Sequence, residues 1–126
     1  VCTWVARETP PDALFLTPRE QQTFKWYAGR AEIVTRKDVP QDARGLIEWK
    51  QRLEEVYPRD QAHQASDLGA FSDEELMALA RKYGASYIVI DRTRSRRRIG
   101  LPQVYPLLAE QNAAFAVYRV PEAAAP

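Results

Sequence analysis

The sequence predicts an α/β domain in three layers, built on a doubly wound, mostly parallel sheet with an antiparallel hairpin at its C-terminal edge. Three observations carry this. The runs Ala13-Leu14-Phe15-Leu16 and Tyr87-Ile88-Val89-Ile90 are continuously apolar and bounded by turn residues, as strands buried on both faces are. Between them lie segments whose apolar residues recur every three or four positions behind capping residues. The chain then closes on Val104-Tyr105 and Phe115-Ala116-Val117-Tyr118-Arg119-Val120, separated by the polar Glu110-Gln111-Asn112, which reads as a hairpin at a sheet edge. Pro106 is tolerated there because an edge strand has a free side.

In chain order, residues 2–8 form a short helix with Val5 facing inward, stopped at Thr9-Pro10-Pro11 because proline cannot continue the ladder. The strand at 13–16 follows. Thr17-Pro18-Arg19-Glu20 is a helix start, with Thr17 as cap, Pro18 at the first helical position and Glu20 closing a capping box. That helix carries Phe24 and Tyr27 on its apolar side and ends at Gly29. Ala31-Glu32-Ile33-Val34-Thr35 is the next strand, so the two strands and their crossover helix make a parallel, right-handed βαβ unit. Asp42 caps a longer helix whose stripe is Leu46, Trp49, Leu53, Val56 and Tyr57, ended by Pro58. Residues 59–70 are polar and read as a loose connection. Ser72-Asp73-Glu74-Glu75 opens a helix with Leu76, Leu79, Ala80 and Tyr83 inward and Gly84 as its stop. The strand at 87–90, the most apolar run, is placed at the sheet centre. Residues 1–120 read as one domain and 121–126 as a low-complexity, disordered tail.

Composition narrows the function. The chain has 126 residues and a formal net charge of +1, which gives no global attraction to nucleic acid or acidic membranes. A lone cysteine, Cys2, leaves no disulfide framework or thiolate metal cluster, and the lone histidine, His63, reads as solvated in a polar stretch. No run of about 18 apolar residues exists to span a membrane. The first strand-to-helix turn has no glycine, which argues against a dinucleotide site, and no phosphate-loop pattern or metal-spaced carboxylate set is present. The expected cofactor, metal and catalytic-residue sets are therefore empty. Glu54-Glu55 and Asp73-Glu74-Glu75 read as helix surface or first-turn acids.

In open α/β sheets ligands gather beyond the carboxyl ends of the strands. Those ends bring Thr17, Arg19, Lys37, Asp91 and Arg92 together, and Trp26, neighbour to Tyr27 on its helix, points another way as a contact candidate. Two readings stand: a site for a phosphate- or sugar-containing small molecule, or a set in which Thr17 caps, Lys37 and Arg92 are solvated and Asp91 pairs with an arginine. The sharpest charge feature follows, Arg92-Thr93-Arg94-Ser95-Arg96-Arg97-Arg98. Arg94, Arg96, Arg97 and Arg98 are candidate contacts to lipid or other phosphate; the alternative is a solvated loop. No aromatic residue is interleaved, which argues against nucleic acid.

Several local strings resemble a known family in collinear order: Trp4-Val5-Ala6-Arg7-Glu8-Thr9-Pro10-Pro11-Asp12-Ala13-Leu14-Phe15-Leu16-Thr17-Pro18, Phe24-Lys25-Trp26-Tyr27-Ala28-Gly29-Arg30 with Val34, Lys37 and Asp38, then Glu48-Trp49 with Arg52-Leu53, then residues 79–91 and 115–119. They resemble the soluble C-terminal domain of bacterial multi-spanning membrane proteins that look like lipid-linked-sugar-dependent glycosyltransferases. The resemblance implies a non-catalytic domain on the extracytoplasmic side of the cytoplasmic membrane, a fragment of a larger protein, partnered by its transmembrane part and assisting the binding of an acceptor or a lipid-linked sugar donor; anionic lipid is the partner that the arginine run suggests. In such enzymes the catalytic acid lies in an early extracytoplasmic loop outside this chain, so no catalytic residue is carried over. The opening residues, Val1 to Arg7, read as a helix already under way, in line with that expectation. A stand-alone soluble binding module is the alternative.

Overall fold

A computed structural model describes residues 2–18, 29–33, 41–95, 99–105 and 114–121. It is a mixed α/β fold around one five-stranded sheet. The described helices are α1 (Cys2–Glu8), α2 (Ala43–Val56), α3 (Gln61–Ser66) and α4 (Asp73–Tyr83), with a 3-10 turn at Asp67–Ala70. The strands are β1 (Leu14–Leu16), β2 (Ala31–Glu32), β3 (Tyr87–Asp91), β4 (Gln103–Tyr105) and β5 (Phe115–Arg119). The crossover helix expected between Thr17 and Gly29 lies outside the described residues, as do Val34 and Thr35 of the expected second strand, Pro106 and the tail.

The strand order is β2-β1-β3-β5-β4. β1 pairs parallel with both β2 and β3, so the chain reverses its direction of winding at β1, and β3 is central as expected. β5 runs antiparallel to β3 and to β4, and β4 forms the edge. Two of the four pairings are thus antiparallel, which makes the sheet mixed rather than mostly parallel. The hairpin partner β5 inserts beside β3, where Ala116, Val117 and Tyr118 bury themselves on the apolar run of that strand.

Alternation of side chains sorts the core onto two faces. Leu16, Ile88, Ile90, Ala116 and Tyr118 join a larger cluster with Val56, Tyr57, Leu68, Phe71, Leu76 and Ala80. Phe15, Val89 and Val117 join a smaller one with Val5 and Ala13. α4 begins with a full capping box: Ser72 N–H donates to Glu75 Oε1 at 3.0 Å and Glu75 N–H to Ser72 Oγ at 3.1 Å. It ends on Gly84, whose φ of 76° is the left-handed conformation a non-glycine residue resists.

Three expectations need correction. Asp42 caps α2 as expected, accepting from Gly45 N–H at 2.8 Å, and Val56 and Tyr57 are buried. Leu46, however, is 43 % exposed and Ile47 beside it 60 %. Only the C-terminal part of α2 meets the core, with Trp49 and Leu53 half-buried against it, so the apolar stripe outruns the surface available to cover it. Second, residues 59–70 are not a loose connection. Asp60 caps α3 by accepting from His63 N–H at 3.2 Å, and the 3-10 turn then drives Leu68 into the core at 1 % exposure. His63 is no solvated loop histidine either. Its Nδ1 lies 2.7 Å from Asp60 Oδ1, and its ring stands edge-on to Phe71 with centroids 4.5 Å apart.

Candidate functional site

The carboxyl edge of the parallel strands is where the fold places ligand-binding groups, and its first residue is Thr17. Thr17 is buried. Its hydroxyl donates to Glu32 Oε1 at 2.7 Å, and its carbonyl accepts from the Tyr57 hydroxyl at 2.7 Å. The end of β1 is thus stitched to β2 and to the end of α2. Arg52 adds a second stitch, donating from Nη1 to the Ile33 carbonyl at 3.1 Å.

At the end of β3, Asp91 shapes its own turn. Oδ1 accepts from Thr93 N–H at 2.9 Å and from Thr93 Oγ1 at 2.5 Å, an Asx turn reinforced by the hydroxyl. Oδ2 lies 3.8 Å from Arg94 Nε, the ion pair with a neighbouring arginine that the simpler reading gave it. The Asp91 carbonyl accepts from Arg94 and Ser95 N–H groups, both at 3.2 Å. Arg94 reaches across to α3, donating from Nη1 to the Gln64 carbonyl at 3.2 Å. Arg92 is exposed while its N–H donates to the Ala114 carbonyl at 2.7 Å, tying the loop to the start of β5.

Two glycines let the loop sit close. A Cβ on Gly69 would overlap Cβ and Oγ of Ser95, and one on Gly100 would lie 2.6 Å from Asp73 Oδ2. Gly100 N–H donates to that same oxygen at 2.9 Å, so the first turn of α4 holds the far end of the loop. Residues 91–95 are therefore a rooted turn presenting Arg92 outward. Asp91, Arg92 and Arg94 are brought together; Thr17 ends the neighbouring strand with its hydroxyl turned to Glu32. Arg19, Trp26, Lys37, Arg96, Arg97 and Arg98 lie outside the described residues.

The structure also reveals a cluster that sequence reasoning passed over as solvated helix surface. Glu48, Gln51, Arg52, Glu54 and Glu55 of α2, with Lys82 and Tyr83 of α4, line an open groove of about 590 Å3. Glu55 latches the two helices, accepting from Lys82 Nζ and, at 2.7 Å, from the Tyr83 hydroxyl. The Lys82 and Tyr83 hydrogen bonds hold the Glu55 carboxyl below its usual range, and the Glu55 bond in turn raises Lys82. Burial, then Glu55, raises the Tyr83 phenol. Arg52 lies over the Tyr83 ring, 4.9 Å from its centroid. The legible signal was the spacing of Glu48, Gln51, Arg52 and Glu55, which puts four polar residues on one stripe of the helix.

Among the described residues no group of three or more His, Cys, Asp or Glu side chains can hold a metal ion, and no helix is long and apolar enough to cross a membrane. Residues 1–56, from α1 to the last residue of α2, are similar to a family described as a domain of unknown function (DUF6798). No curated protein matches the chain.

Proposed function

We propose that this chain is a non-catalytic accessory domain of a membrane protein of glycosyltransferase-like type, held on the extracytoplasmic side of the cytoplasmic membrane. Its arginine loop takes the phosphate of an anionic lipid or of a lipid-linked sugar donor. In this reading the fold is a three-layer, doubly wound domain, with the alternation of Leu16, Ile88 and Ile90 against Phe15 and Val89 between two core clusters supporting helices on both faces. The observation that carries the functional reading is the rooted turn after β3. Asp91 and Gln64 anchor residues 91–95, Ser95 sits close against Gly69, and Arg92 stands outward at the carboxyl end of β3, where α/β folds place ligands. A guanidinium pairs with phosphate through two parallel N–H groups, and a turn fixed beforehand loses less entropy on binding.

Flotation with phosphatidylglycerol-containing vesicles tests it against pure phosphatidylcholine vesicles. The domain should float with the anionic vesicles, detach as salt rises, and stay behind once Arg92, Arg94, Arg96, Arg97 and Arg98 are changed to Gln. Absence of binding to anionic vesicles, or equal binding to neutral ones, overturns the reading. A run of apolar spans in the coding sequence upstream of Val1 is the second expected outcome.

A further inference from the structure

Two aspartates stand at the arginine turn, and on charge alone neither suits the neighbourhood of a phosphate. Asp91, its side chain 15 % exposed, gives Oδ1 to Thr93 and turns Oδ2 toward Arg94. Asp67 is buried, at 3 % exposure, where α3 passes into the 3-10 turn. Its φ of 56° and ψ of −133° lie in a region that glycine occupies freely and an L side chain resists. Among the described residues it is the only non-glycine residue at positive φ. Backbone and burial both disfavour an aspartate here, so the reason for one lies in what its carboxylate does. Its chain neighbours carry the turn. Three positions before it, the Gln64 carbonyl accepts from Arg94; two positions after it, Ser95 packs where a Cβ on Gly69 would stand. Asp67 thus sits between the two footholds of residues 91–95. Arg94 is taken up by Asp91 and Gln64, which leaves the exposed Arg92 as the guanidinium those residues turn outward.

We propose that Asp67 and Asp91 are positioning residues for the phosphate site, two acids on which anion binding depends because they fix residues 91–95 with Arg92 outward. The inference rests on the reading of the arginine loop as a phosphate site and assigns that site its support. Simple electrostatics predicts the opposite sign, since removing a negative charge beside an anion site tightens binding. Flotation of the full chain with phosphatidylglycerol-containing vesicles decides between them, at a temperature where circular dichroism shows each variant folded. Asp91→Ala and Asp91→Asn carry the same charge, but only Asn keeps an oxygen for the Thr93 N–H and hydroxyl. Asp91→Ala should bind more weakly than the unchanged chain, and about fivefold more weakly than Asp91→Asn, the equivalent of one hydrogen bond. Asp67→Gly, which relieves the backbone and removes the carboxylate, should also bind about fivefold more weakly than the unchanged chain. In the same variant, hydrogen exchange should quicken at the Arg94 and Ser95 amides, which donate to the Asp91 carbonyl. An unchanged chain that fails to float, or that floats equally well with its loop arginines changed to Gln, overturns the phosphate site and this inference with it. Equal or tighter binding by Asp91→Ala or Asp67→Gly, with the arginine variant still left behind, keeps the site and overturns the role of that aspartate.

Discussion

Arg30 is a buried cation whose role no pattern in the sequence announces. Its guanidinium donates to Thr9 Oγ1 at 3.0 Å, to the Thr9 carbonyl at 2.8 Å and to the Ala6 carbonyl at 2.9 Å. Those carbonyls sit at the end of α1, where a helix leaves acceptors unsatisfied and where positive charge is favoured. Arg30→Ala should cost about 2–3 kcal/mol in urea unfolding, because it orphans several buried acceptors at once. Arg30→Lys should recover only part of that, since an ammonium cannot reproduce the fork. A Lys variant as stable as the original would show that charge alone matters. Gly69 makes a complementary case. Gly69→Ala should destabilise by about 1–3 kcal/mol because its methyl overlaps Ser95. Ser95→Gly in the same chain should restore most of the loss; a double variant no better than the single would place the strain elsewhere.

At the scale of elements, residues that announce themselves by position were readable and residues that act at a distance were not. The capping box of Ser72 and Glu75, the Asp42 cap and the Gly84 stop are local, so each could be read from a few consecutive letters. The 3-10 turn escaped because Leu68 and Phe71 are two apolar residues in a polar stretch, and only the sheet they meet shows why they turn inward. The α2–α4 latch escaped for the same reason, its partners being 27 and 28 residues apart. That latch has a pH signature. Glu55 lies below its ordinary value of 4.5 through Lys82 and Tyr83. Asp60 is lowered by His63, and Glu75 by the Ser72 backbone and hydroxyl. A carboxyl depressed in the folded state contributes stability that is present above its unfolded pKa and lost as pH falls through the folded one. The urea midpoint should therefore decline as pH falls below about 4.5, the ordinary glutamate value. Glu55→Gln should flatten part of that decline and lower the midpoint near neutrality. An acid limb unchanged in Glu55→Gln would mean that solvent screening cancels the latch.

For the molecule as a whole, the question is whether the two clusters are one cooperative unit. The same strands serve both faces: Ile88 and Ile90 of β3 point into the larger cluster and Val89 between them into the smaller. Losing either face strips the strand that holds the other, so neither can melt alone without exposing the sheet to water. Leu76→Ala, in the larger cluster, should cost about 3 kcal/mol, and Val5→Ala, in the smaller, about 2 kcal/mol. Both should move one transition rather than split it. Trp4 packs against the smaller cluster and Trp49 against the larger, which gives each face its own fluorescent reporter. With Trp26→Phe in the background, chains keeping only Trp4 or only Trp49 should each unfold with the same midpoint by fluorescence as by circular dichroism. If Trp4 reports an earlier midpoint than the backbone signal of its own chain, α1 peels from the sheet before the core melts. The Arg30 clamp would then secure α1 only locally rather than coupling it to the whole fold.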